Sequence, residues 1–140
     1  MERIAIPVDA VKDTCLRALE RAGASRATSI GVVDALLWAD LRGVSSHGVR
    51  NLPVYLRRVA QGGLDPSARP VVVRTDGAIA VMNGRNGFGQ IAGADAVEMA
   101  VRLSGEHGAG LVWVSQNNHV GALGYYTTLA AGRGHVAFMV

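Results

Sequence analysis

The residues best suited to chemistry lie in Ser115-Gln116-Asn117-Asn118-His119-Val120-Gly121. An imidazole carries protons near neutral pH, and neighbouring amides and hydroxyls can fix which ring nitrogen holds the proton. The segment follows the apolar run Leu111–Val114, which reads as a strand, and strand ends are favoured places for functional side chains in α/β folds. The competing reading is a polar loop whose side chains cap its own turns.

A second polar loop, Ser45-Ser46-His47-Gly48-Val49-Arg50-Asn51, brings hydroxyl, imidazole and guanidinium together. Such a set can clamp a carboxylate through charge-assisted hydrogen bonds. The plainer alternative has Ser45 or Ser46 capping the next helix, with His47 solvated. A third segment, Gly84-Arg85-Asn86-Gly87-Phe88-Gly89, stands between a strand and a helix, where backbone N–H groups could cradle a phosphate. Its order is not that of the dinucleotide fingerprint, so a tight structural turn is the favoured reading. His107 and His135 read as structural. No metal site is expected, because His47 and His119 have no zinc-type spacing and Cys15 is the only cysteine.

The elements that must position these loops follow from periodicity. Val11, Cys15, Leu19 and Ala22 form a helical stripe after Asp9 as N-cap. Ile30, Val33, Leu37 and Leu41 form another after Ser25. A shorter helix spans Asn51–Gln61, with Pro53 in its first turn. Val71–Val73 and Ala78–Met82 flank Asp76-Gly77 as a hairpin. A helix over Gln90–His107 buries Ala92, Ala96, Met99, Ala100 and Leu103. The strand Leu111–Val114, a helix Tyr125–Ala131 and a strand His135–Val140 complete the chain. A helical region, residues 1–68, thus precedes an α/β segment, residues 69–140.

Three motifs in this order, Ala39–Gly48, Gly84–Gly89 and Asn118–Tyr126, resemble the malate/L-lactate dehydrogenase family of NAD(P)-dependent oxidoreductases. The resemblance runs from about Val8 to the last residue. It implies an α/β (α+β) fold without Rossmann topology: a helical N-terminal region, then a mixed, largely antiparallel nicotinamide-binding domain that begins near residue 69. It implies hydride exchange between NAD or NADP and a 2-hydroxy/2-keto acid, in a homodimer. Carried over by position, His119 matches the catalytic acid/base, Ser46 and His47 match the substrate-side loop, and Asn118 fits an orienting and substrate-binding role. The family often places an arginine five residues after the serine. Here Asn51 holds that position, and its neighbour Arg50 is the candidate carboxylate clamp. Relatives are more than twice as long, so the chain is expected to be an N-terminal portion. The cofactor contacts are then expected mainly downstream of Val140, in a missing C-terminal portion. The alternatives are a non-catalytic small-anion binding module and an inactive structural remnant.

Composition bounds these readings. The chain has 140 residues, 49% of them hydrophobic, with a formal charge of +3. That composition is too apolar for disorder. Lys12 is the only lysine, and the arginines are scattered among acids without the clustering that nucleic acid requires. No apolar run is long enough to span a membrane, and the N-terminus lacks the apolar core of a signal peptide. A cytoplasmic protein is the expectation.

Overall fold

The computed structural model describes residues 5–140. The first four residues, on which the signal-peptide reading partly depends, lie outside that range. Helices α1 (Val8–Arg21), α2 (Arg26–Leu41) and α3 (Leu52–Ala60) come first, with two short 3₁₀ turns, Ser45–His47 and Val49–Asn51, between α2 and α3. Strands β1 (Val71–Asp76) and β2 (Ile79–Asn83), helix α4 (Gly89–His107), strand β3 (Leu111–Ser115) and helix α5 (Leu123–Ala131) follow. Among the described residues, no helix is long and apolar enough to cross a membrane.

Cys15, Leu16 and Leu19 of α1 pack with Val32, Val33, Leu36 and Leu37 of α2, Leu52 and Tyr55 of α3, and Phe88 and Ile91 at the start of α4. One apolar core therefore joins the helical region to the α/β segment, held by the burial of aliphatic and aromatic surface. Ser25 caps α2, its hydroxyl accepting from the Thr28 N–H. Asp9 does not cap α1. Pro7 holds that position, and Asp9 lies within the first turn, where its charge still favours the helix dipole.

The buried face of α2 differs from the expected stripe. Val33 and Leu37 are buried, but Ile30 and Leu41 are 37% and 66% exposed, and Thr28, Ser29, Val32 and Leu36 are buried instead. The reason is crowding, because α2 packs on α1, α4 and α5 and so buries more than one stripe. Similarly, α4 is fully buried at Gly89–Gly93 and again at Leu103, while Ala96, Met99 and Ala100 are only half-buried.

The sheet has the order β1-β2-β3 and is mixed. β1 and β2 pair antiparallel with a bulge at Val73, and β2 and β3 pair parallel. Asp76 pairs with Ile79, so the hairpin loop is Gly77-Ala78. Gly77 has φ +53° and Ala78 does not share the positive sign, the type II′ pattern that suits the twist of paired strands. Helix α4 covers the face that carries Ala80 and Met82; the opposite face leaves Ile79, Leu111 and Trp113 exposed.

The expected strand His135–Val140 is absent: the segment carries no ladder. An apolar cleft of about 960 Å³ separates it from β3 and α4, so no strand lies beside it to accept its backbone bonds.

Helix α4 begins in a tight place. A Cβ on Gly89 would stand 2.4 Å from the carbonyl oxygens of both Asn118 and His119. Gly89→Ala therefore has to push the His119 loop away from α4. It is expected to destabilise the chain by about 1–3 kcal/mol despite alanine's better helix propensity. Urea denaturation checks this; an unchanged midpoint would refute the close approach.

Candidate active site

Three separate stretches of chain converge on His119. β3 ends at Ser115, and the backbone turns through Gln116, which has φ +47°. The next residues run back beside the glycine-rich loop and the start of α4. Tyr126 of α5 donates its hydroxyl proton to the Val120 carbonyl and so ties down the far side of the loop.

The imidazole of His119 is exposed on one side and held on the other. Its Nδ1 lies 3.0 Å from the hydroxyl of Tyr55 on α3. That hydroxyl receives the Nε2 amide proton of Gln90, the second residue of α4, at 2.9 Å. Tyr55 is 4% exposed and Gln90 1% exposed, and the tyrosine ring packs edge-on against Phe88. A buried chain of three side chains thus starts at the helix and ends on the histidine.

His47 completes the cluster. Its ring stacks on that of His119 with centroids 5.6 Å apart and planes 21° from parallel. Ser46 Oγ lies 2.9 Å from His47 Nδ1. Neither Ser45 nor Ser46 caps a helix, because the chain enters 3₁₀ turns here and the Ser46 hydroxyl faces the imidazole instead. The turns are anchored from below. Asp40 Oδ2 accepts from the Val49 N–H at 2.8 Å, and a Cβ on Gly48 would collide with the same carboxylate. Asn51 donates its amide to the carbonyls of Ser46 and Gly48. With Asn51 folded back in this way, Arg50 is the exposed cation of the loop and makes no ion pair among the described residues.

The structure brings Ser46, His47 and His119 together. Asn118 sits elsewhere: it is buried, and its amide nitrogen donates to Asn86 O, Asn86 Oδ1 and Gly87 O at 2.9–3.0 Å. That bonding fastens the glycine-rich loop to the histidine loop. The glycine-rich loop is itself a closed turn. Arg85 and Asn86 both have positive φ, and Gly87 N–H bonds to Gly84 O at 2.9 Å, the type I′ pattern. Its N–H groups at Gly84, Arg85, Asn86 and Gly87 are all spent inside the protein. These four N–H groups are therefore not free to hold a phosphate.

Tyr55, Gln90 and Asp40 were not singled out from sequence. Tyr55 and His119 are 64 residues apart. In sequence, Tyr55 is one more apolar-facing aromatic of a helix and Gln90 one polar residue at a helix start. Only Gln90 carried a signal, a polar residue on the first turn of a helix otherwise lined by small apolar side chains. Among the described residues, no three metal-ligating side chains are grouped.

A model of the malate/L-lactate dehydrogenase family matches residues 6–140. The chain belongs to that family. Within it, the chain is 35% identical over 133 residues to a malate dehydrogenase of Pyrococcus abyssi, covering 95% of this chain and 37% of that protein. It is 29% identical over 116 residues to a ureidoglycolate dehydrogenase (NAD(+)) of Escherichia coli K12, covering 83% of this chain and 33% of that one. The fold matches the crystal structure of malate dehydrogenase from Entamoeba histolytica with a TM-score of 0.91 at 33% identity, over 95% of this chain and 37% of that one. The chain therefore spans about a third of the length of these family members.

Electrostatics in this family member favour a neutral His119. Burial lowers its pKa below the ordinary 6.5, and the nearby charges of His47 and Arg58 lower it further. Arg58 lies one turn beyond Tyr55 on α3, on the same side of the helix. Tyr55 stays protonated, because burial raises its pKa against the opposing bond from Gln90. Removing a neighbouring cation relieves repulsion, so Arg58→Ala or His47→Ala should raise the His119 midpoint towards 6.5. NMR titration of the imidazole C–H protons reads this directly; a midpoint that stays put or falls would refute the coupling.

Proposed function

We propose that the full-length protein moves a hydride between a nicotinamide cofactor and a small 2-hydroxy/2-keto acid, with His119 as the acid/base. The observation that carries this reading is the half-held imidazole: Nδ1 fixed by buried Tyr55, and the rest of the ring exposed beside His47. Malate and ureidoglycolate, named in the two relatives, both bear a hydroxyl on the carbon next to a carboxylate. Such a substrate needs one group to take the hydroxyl proton and another to hold the carboxylate.

His119 takes the hydroxyl proton during oxidation and returns it to the forming alkoxide during reduction. Its lowered pKa keeps it neutral, and so ready as a base, near pH 7. Arg50, with Ser46 and His47, is the proposed carboxylate clamp, since an unpaired guanidinium matches a carboxylate's two oxygens. Asn118 serves by locking the histidine loop to the glycine-rich turn.

Bound NAD would supply the hydride acceptor, and the NAD(+) in one relative's name supports NAD over NADP. The spent N–H groups of Gly84–Gly87 do not fit its phosphates. The cofactor-holding side chains are proposed to lie in the part of the family's length that these 140 residues do not span. We further read the enzyme as a cytoplasmic homodimer.

Replacing the histidine that corresponds to His119 by alanine in a full-length relative tests the assignment. Loss of a general acid/base is expected to lower kcat by about 10²–10⁴-fold, with a smaller change in KM. Steady-state kinetics with the keto acid and NADH measure both. A kcat within a few-fold of wild type would sink the assignment.

A further inference from the structure

Tyr55 has one hydroxyl proton and two polar neighbours, the Gln90 amide at 2.9 Å and His119 Nδ1 at 3.0 Å. Two proton arrangements satisfy that geometry. In one, the Gln90 amide nitrogen donates to the tyrosine oxygen, which donates on to Nδ1. The neutral ring then carries its own proton on Nε2 and offers the substrate no lone pair there. In the other, Nδ1–H donates to the tyrosine oxygen, whose proton goes to the Gln90 amide oxygen. Nε2 is then bare and can act as a base.

The surroundings of Gln90 and the chemistry of an acid/base bear on the choice. With the Gln90 amide nitrogen towards Tyr55, the amide oxygen Oε1 is buried and has no partner. A half-turn of the terminal amide exchanges nitrogen and oxygen without moving the side chain, and gives Oε1 the tyrosine proton. The half-turn leaves an amide N–H unpaired in its place, so the amide alone does not choose.

The histidine chooses. Once protonated, both its nitrogens are donors, so Tyr55 must accept from Nδ1 and pass its own proton to its other neighbour, Gln90. Only an amide oxygen can receive it. An acid/base that gains and loses a proton at Nε2 keeps one relay polarity throughout if Gln90 Oε1 faces Tyr55. Otherwise a side chain that is 1% exposed, in the first turn of a packed helix, would have to rotate in every catalytic cycle.

We propose that Tyr55 and Gln90 are positioning residues that hold the proton of neutral His119 on Nδ1, through the relay His119 Nδ1–H to Tyr55 Oη–H to Gln90 Oε1. The proposal deepens the acid/base reading of His119 and rests on it. A neutral amide suits this place, because it accepts the proton without bringing an anion that would raise the histidine's pKa. Glutamate at the same position would accept equally well but would work against the lowering by burial, His47 and Arg58.

Long-range ¹H–¹⁵N spectra of the imidazoles in this chain, recorded above the His119 midpoint, read the tautomer without any turnover. The wild type is expected to show His119 protonated on Nδ1. Tyr55→Phe removes one oxygen and keeps the ring against Phe88. It should shift the tautomer ratio towards Nε2–H by about fivefold or more, the worth of one net hydrogen bond. Gln90→Met removes both polar atoms at similar length and should do the same, so the test survives if Tyr55→Phe fails to melt cooperatively. Gln90→Glu should keep the proton on Nδ1 and raise the His119 midpoint.

A wild-type proton on Nε2, or a tautomer unmoved by both Tyr55→Phe and Gln90→Met, would overturn the relay. The kinetic test of His119 is separate. An inactive alanine variant together with an Nε2–H tautomer refutes the relay alone. An active alanine variant together with an Nδ1–H tautomer refutes the acid/base reading alone.

Discussion

Close backbone approach to α4 is the constraint on which the rest of the structure depends. Four elements reach this helix at distances that leave no room for side-chain growth. An added Cβ would lie 2.8 Å from Ile91 at Gly31 of α2, 2.5 Å from the Tyr126 ring of α5 at Gly93, and 2.1 Å from the Ala100 carbonyl at Gly110 before β3. The fourth contact is Gly89 against the backbone of the histidine loop. Dispersion falls steeply with separation, so such contacts give dense packing where surfaces match and strain where they do not. By seating α2, α5, β3 and the histidine loop on one rod, α4 fixes where Gln90 stands relative to His119, and Tyr55 reaches both from α3.

That constraint explains which parts of the molecule were legible in sequence. Local signals were clear. Gly23, Gly43 and Gly62 all lie just past helix ends and all have positive φ, and Ser25 caps α2 as its side-chain chemistry suggests. The hairpin followed from its turn residues, and α4 and β3 from the switch of hydrophobic period, while the parallel pairing of β2 with β3 came only from the structure. Ile30 and Leu41 were misplaced because periodicity finds one stripe, whereas α2 has three neighbours. The strand expected at His135–Val140 failed for a different reason: an apolar run is a residue pattern, and a strand also needs a partner.

The site was half legible. His119 and the Ser46-His47 pair are polar groups concentrated in loops, and concentration is visible in one dimension. Tyr55 and Gln90 are visible only in three, since each looks like ordinary helix sequence until α3 and α4 are brought together. Asn118 shows the converse: its place beside His119 in sequence suggested an orienting or substrate contact, while its amide nitrogen is spent on Asn86 and Gly87.

The two histidine loops differ in how far they can evolve. The His119 loop is pinned by Gly89, Asn118 and Tyr126, and most changes there would be paid for by α4. The 3₁₀ turns at Ser45–Asn51 hang from two side chains, Asp40 and Asn51, while Ser45, Ser46 and Arg50 face solvent. Sequence can drift in those outward positions without disturbing the hub. A scaffold built this way lets the packed His119 loop persist while the outward loop beside it diverges.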